Sequence, residues 1–229
     1  MLYANKSSRD ANDGPRQAMT EEMRHASSTL FRGAGFLGAC LRAPIAHDVE
    51  SESLAIVGRY RAKVIGNGLR ELDRFLNLLI DAVSTAEGLP VRPGQRNTAN
   101  KLSAYRAAKS LPNNDEARLR ALGRSRDCLF HCSGRVRRGD HRGATTMTVG
   151  WPGYDVALDR VTVGRDLKVT RGDLDDVCLF YRRIARDLCG GVGRVQAAAF
   201  AEFGPTKKGP ANAEPLVIRC KDDQPATLS

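Results

Sequence analysis

Apolar residues recur at three- and four-residue steps through most of this chain, and the stretches that break the rhythm divide it into elements. The longest periodic run covers residues 48–88, where Leu54, Val57, Val64, Leu72, Phe75, Leu76, Leu79, Ile80 and Val83 mark one face of a long amphipathic helix. Residues 89–97, LPVRPGQRN, carry prolines and a glycine and read as a loop. A shorter helix over 98–110 presents Leu102, Tyr105 and Ala108 and ends at Leu111-Pro112. Asn114-Asp115-Glu116 then caps the next helix and sets acidic groups at the positive end of its dipole. In that helix Leu119, Leu122, Leu129 and Phe130 form one apolar arc, Arg126 falls inside the arc, and Ser133-Gly134 is a stop signal.

The rhythm changes after Gly134. Arginines crowd a glycine-containing turn, residues 144–151 read as a short strand, and residues 159–170, DRVTVGRDLKVT, alternate on either side of Gly164-Arg165-Asp166 as a β-hairpin would. Thr170 with Asp173 forms a capping box, and Leu174, Val177, Phe180, Tyr181, Ile184 and Leu188 carry an amphipathic helix to Cys189-Gly190-Gly191. Residues 195–203 can add a last helix. At the other end, residues 1–19 are polar and aperiodic, and residues 20–41 hold a short helix weakened by Gly33, Gly35 and Gly38. These elements predict a mainly α protein, a helical bundle with a small β-hairpin inserted before the last core helix. Residues 1–47 are expected as an N-terminal arm that can hold a short helix, residues 48–203 as the helical domain with its β insertion at about 144–170, and residues 204–229 as a disordered tail.

Composition narrows the partners. A formal net charge of +10 favours polyanions, nucleic acid foremost, although an arginine-rich surface can also reflect composition alone. The 6 cysteines lack the short regular spacing of a disulfide framework and read as reduced thiols of a cytoplasmic protein. Arg59, Arg61 and Lys63 interrupt the most hydrophobic helix, so no membrane span is expected. The stretch Leu37-Gly38-Ala39-Cys40 looks like a lipoprotein cleavage box, but Arg32 interrupts the apolar run that would have to precede it.

The candidate chemistry gathers at the end of the motif helix. Its order Arg126-Asp127-Cys128-Leu129-Phe130-His131 resembles the Arg, polar residue, three residues, His signature of the HEPN superfamily. The resemblance covers roughly residues 48–203, including the helices around the motif and the β excursion before a helix bearing Phe180-Tyr181-Arg182. It implies an antiparallel bundle and, for many members, a metal-independent endoribonuclease whose two motif helices meet across a homodimer to form one composite active site; other members are inactive and bind nucleotides, RNA or proteins. For this chain it implies cleavage of single-stranded RNA to a 2′,3′-cyclic phosphate, the context of a bacterial toxin or defence effector, and an antitoxin or regulatory protein as a further partner.

The residue types suit that chemistry. His131 can exchange protons near neutral pH, Arg126 can grip phosphate oxygens bidentately, and Asp127, one turn before His131, can orient the imidazole. Arg124, Arg135, Arg137 and Arg138 would follow an RNA backbone. The bland readings are a helix-terminal histidine capping carbonyls, an arginine in an ion pair, and a solvated basic turn. Tyr181 fits a core position better than a base-stacking platform. Neither a cofactor nor a metal is expected: Cys128, Cys132 and His131 have no evident fourth ligand, Gly190-Gly191-Val192-Gly193 follows a helix instead of opening one, and His25, His47 and His141 are isolated.

Overall fold

The computed structural model describes residues 19–40, 59–91, 94–95, 97–151 and 157–190. They form helices α1 (Glu21–Cys40), α2 (Arg59–Ala86), α3 (Thr98–Ala108), α4 (Glu116–Cys132) and α5 (Arg171–Gly190), with strands β1 (Thr146–Thr148) and β2 (Arg160–Thr162) between α4 and α5. The expected helix over 195–203 and the first part of the 48–88 run lie outside the described residues.

Helix α2 organises the core. Ile65, Leu69, Leu72, Leu76, Leu79, Ile80 and Val83 are buried along it as one continuous apolar stripe. Each such side chain contributes roughly 1.5–3 kcal/mol by leaving water. Val64, expected on that stripe, is instead exposed, and its neighbour Ile65 takes the buried position. The true stripe is one residue out of phase at its start.

Helix α1 runs opposite to α2 and α5, and α4 runs opposite to α2, whereas α3 runs alongside α2 in the same direction, Thr98 meeting Asp73 and Lys101 meeting Asp81. Gly33 of α1 faces Phe75 of α2 and Leu37 faces Gly68; Gly35 and Gly38 face Arg182 and Asp175 of α5. Helix α4 meets α2 at Phe130 against Gly66 and at Arg126 against Asp73, again with opposed numbering. A Cβ on Gly66 would sit 3.0 Å from the Phe130 backbone nitrogen, so this glycine is what lets the last turn of α4 lie against α2.

The short helix expected within residues 1–47 forms as α1, and it belongs to the core instead of an arm. Met23, Leu30, Ala34 and Leu37 are buried in the same core as α2 and α5, and the Thr20 hydroxyl caps the helix by accepting the Met23 N–H at 3.3 Å. The glycines that lower helix propensity also remove the side chains that would hold α1 away from Phe75, and tertiary packing outweighs the propensity.

Helix α4 starts differently from the expectation. Asp115 occupies the N-cap position but makes no side-chain cap hydrogen bond; its buried carboxylate pairs with Arg106 of α3 and Arg183 of α5. The other end follows the sequence signal. Ser133 takes the left-handed conformation and Gly134, at φ 89°, donates its N–H to the Cys128 carbonyl at 3.1 Å.

The hairpin within 159–170 is also corrected. β2 pairs antiparallel with β1, with Thr146 opposite Thr162 and Thr148 opposite Arg160. Beyond the turn at Gly164, the chain pairs with residues just after α4: Val136 N–H donates to Arg165 C=O at 2.8 Å and Leu167 N–H to Gly134 C=O at 2.8 Å. Alternation identifies extended chain, but the partner strands lie upstream. At the capping box the expectation holds: Asp173 N–H donates to the Thr170 hydroxyl and Thr170 N–H to the Asp173 carboxylate.

The β excursion grips α4 through Arg118, whose guanidinium donates to the Gly150 and Trp151 carbonyls at 3.1 and 3.2 Å and lies 4.3 Å from the Phe180 ring centroid. Gly150 touches α4 so closely that a Cβ would sit 2.5 Å from Leu122 Cγ and 2.7 Å from its backbone nitrogen. Gly150→Ala is therefore expected to destabilise the protein by about 1–3 kcal/mol through overpacking. Urea denaturation measures this, and an unchanged midpoint would contradict the close approach.

Candidate functional site

The side chains of α4 sort themselves by what packs on them. Its buried residues are Arg118, Leu119, Ala121, Leu122, Ser125, Cys128 and Leu129, a stripe rotated from the expected arc, with Arg126 at its edge. The deepest arginine of this helix is thus Arg118, which sequence reasoning misses because a cation does not mark an apolar face. Burial lowers the proton affinity of Arg118, while Asp176 and Asp115 oppose that effect.

Arg126 finds its counter-charges within the same chain. Its Nη1 lies 2.7 Å from Asp73 Oδ2 of α2, while its Nε and Nη2 lie 3.0 and 2.9 Å from Asp127 Oδ1. Burial works against the Arg126 charge, but Asp73 and Asp127 more than offset it and hold the group protonated more firmly than usual. Asp73 has the opposite balance. Burial raises its pKa, and although Arg126 and the Thr98 hydroxyl pull it back, the net shift is upward from the ordinary carboxylate value.

The spacing of Asp127 and His131 predicts that the carboxylate orients the imidazole. In the structure the Asp127 carboxylate instead holds Arg126, because the adjacent guanidinium folds back onto it. His131, on the last turn of α4, is exposed and stands edge-on to Phe130 with ring centroids 4.9 Å apart. Arg126, Asp127 and His131 nevertheless share one open cleft of about 670 Å³ between α2 and α4.

That cleft contains residues the motif does not announce. Arg70 and Arg74 line it from α2, and Arg70 lies 5.8 Å from the Phe130 ring centroid. Lys101 closes the other end, buried and bonded to Asn77 Oδ1 at 2.6 Å and Asp81 Oδ2 at 2.7 Å. The signal in the sequence is the polar stripe Arg70, Asp73, Arg74, Asn77, Asp81 at helical spacing beside the apolar one. Every surface helix has such a stripe, so it names no site.

The four arginines expected along an RNA backbone separate. Arg137 and Arg138 line a second concavity of about 310 Å³, shared with Asp127, His131 and Cys132. Arg124 lines it too, but its Nε lies 2.8 Å from Asp140 Oδ1. Burial raises the Asp140 carboxyl, yet the Thr148 hydroxyl and N–H, with Arg124 and Arg160, hold it below its ordinary value. Arg124 therefore ties α4 to the β excursion. Arg135 is exposed, and its backbone forms a bridge with Asp166.

Tyr181 is buried at 2 % exposure, which excludes base stacking; burial foremost, then Asp73, drives its hydroxyl well above its ordinary pKa. Burial also pushes the Cys128 thiol up to about 11, with Cys132 adding to the rise. Among the described residues no group of three or more His, Cys, Asp or Glu side chains is placed to hold a metal ion, and no helix is long and apolar enough to cross a membrane. No protein-family model, curated protein or solved structure matches this chain.

Proposed function

We propose that this chain is an RNA-binding protein of HEPN-like bundle type that cleaves single-stranded RNA without a metal, leaving a 2′,3′-cyclic phosphate and a 5′-hydroxyl. One observation carries the reading: Arg126 and His131 line a single open cleft, and His131 also borders the concavity lined by Arg137 and Arg138. A strand lying through both would meet Arg70 and Arg74 on one side of His131 and Arg137 and Arg138 on the other.

Arg126 suits phosphate even with two carboxylates beside it. A guanidinium has five N–H donors, of which one on Nε and one on Nη1 are hydrogen-bonded to Asp127 and Asp73, so donors remain for phosphate oxygens. The opposite charges of Asp73 and Asp127 favour the second reading, a silent module of the same shape that binds RNA, a nucleotide or a partner protein. A homodimer, and a toxin or defence role with an antitoxin as partner, rest on the resemblance of the RDCLFH motif.

Purified protein incubated with single-stranded RNA in EDTA distinguishes the two. Cleavage to cyclic-phosphate ends that falls about 10²–10⁴-fold in His131→Ala, with an unchanged unfolding midpoint, is the expected result. Salt-sensitive binding without product would instead establish the silent module.

A further inference from the structure

Transesterification needs two proton-transfer groups on opposite sides of the phosphorus, and the motif itself supplies only His131. A dimer could bring a second one. The cleft, however, already holds another group of the right kind.

Asp73 reaches the cleft from α2 with its side chain 19 % exposed, directly beside the arginine proposed to hold the phosphate. His131 lies five residues beyond Arg126 on α4, roughly 7.5 Å along the helix axis at 1.5 Å per residue. Asp73 thus stands at the level of Arg126, and His131, about one and a half turns farther along α4, lines the same cleft. Groups that move protons on the attacking and leaving oxygens each need to approach within about 2.6–3.2 Å of them.

We infer that Asp73 is the proton acceptor of the reaction and that one chain carries acid, base and phosphate clamp together. This rests on the endoribonuclease reading. Asp73 Oδ takes the proton from the 2′-hydroxyl as that oxygen bonds to phosphorus. The bond from phosphorus to the 5′-oxygen breaks, and the His131 imidazolium gives its proton to the departing oxygen. The products are the cyclic phosphate and the 5′-hydroxyl strand, with Asp73 protonated and His131 neutral until water exchanges the proton back. A second copy of the chain then contributes RNA-binding surface and no proton.

The surroundings of Asp73 strengthen it as a proton acceptor. Facing it are Arg126 and Asp127 from α4, the Thr98 hydroxyl from α3 and Tyr181 from α5, while Arg70, Arg74, Lys101, Asp81 and His131 share the cleft. Burial outweighs the arginine, so the carboxylate binds a proton more tightly than an exposed aspartate. The sign follows: the rate should rise with pH as Asp73 loses its proton, along a limb lying above the ordinary carboxylate range.

The test is the pH profile of kcat on a short single-stranded RNA in EDTA. Asp73→Asn should lower kcat about 10²–10⁴-fold with little change in KM and should remove the ascending limb. Asp73→Glu should retain that limb. Co-expressed Asp73→Asn and His131→Ala chains should show no recovery, because each chain keeps only half of its site. Wild-type rate with an intact ascending limb in Asp73→Asn overturns the inference and leaves the ribonuclease reading standing, as does recovery of cleavage in the mixed chains. An inert wild-type protein overturns both.

Discussion

Asp115→Ala is expected to destabilise the fold by about 3–5 kcal/mol, the effect of removing one partner from a buried ion pair. Asp115 is 4 % exposed and stands between Arg106 of α3 and Arg183 of α5. The two arginines differ in what they lose. The Arg183 side chain is 33 % exposed and can turn toward water, while the Arg106 side chain, at 10 %, is left without a paired carboxylate among the described residues. Asp115→Asn should cost less, since an amide oxygen still accepts one hydrogen bond. Because three helices share this contact, the loss should appear as a lower midpoint of one cooperative unfolding transition, in urea or by heating. A shift below about 1 kcal/mol in the alanine variant would mean that the pair does not hold α3 and α5 to the start of α4.

If the chain cleaves RNA as proposed, Arg126→Lys is expected to reduce that cleavage about 10²–10³-fold while keeping the charge. The guanidinium meets Asp127 with two nitrogens and Asp73 with a third, and in the proposed reaction what remains of its planar donor fork would hold a phosphate. An ammonium presents one point of charge, and beside two carboxylates it has no second edge to offer. RNA affinity should depend on salt nearly as steeply as in the wild type, because the count of cations facing the strand is the same. The measurement is kcat/KM in EDTA alongside a salt titration of binding and a urea midpoint. A lysine variant that cleaves at the wild-type rate would show that charge alone suffices there. Arg126→Ala is the less informative change, because it strands the largely buried Asp73 carboxylate and mixes a stability loss with the catalytic one.

How far this site is legible in the sequence differs from residue to residue. Arg126 stands out as a cation beside apolar positions, and its need for a counter-charge follows at once. The identity of that counter-charge as Asp73 does not, since 53 residues separate the pair and α2 offers several polar positions at equivalent spacing. Asp127 at one turn from His131 looks like an orienting carboxylate, but sequence spacing does not say which of two neighbours a short side chain will meet, and the adjacent guanidinium takes it. The arginines after Gly134 read as one basic cluster. In the structure Arg137 and Arg138 share the concavity of His131, Arg124 is held by Asp140, and Arg135 belongs to the bridge with Asp166.

Local signals determined local structure. The 3.6-residue rhythm is a property of one helix, and so are the Thr170–Asp173 capping box and the Ser133-Gly134 stop; all three can be read from neighbouring residues and all three are present. Tertiary structure alone decided what each face meets: that α1 belongs to the core, that β2 pairs back to β1, that Arg118 is the buried arginine of α4, and that Asp115 binds Arg183 across 68 residues instead of capping its own helix. The reason is physical. A helical period fixes which residues share a face, whereas the energy of a buried charge or a close glycine contact depends on the element packed against it, and that element is brought there by the whole fold.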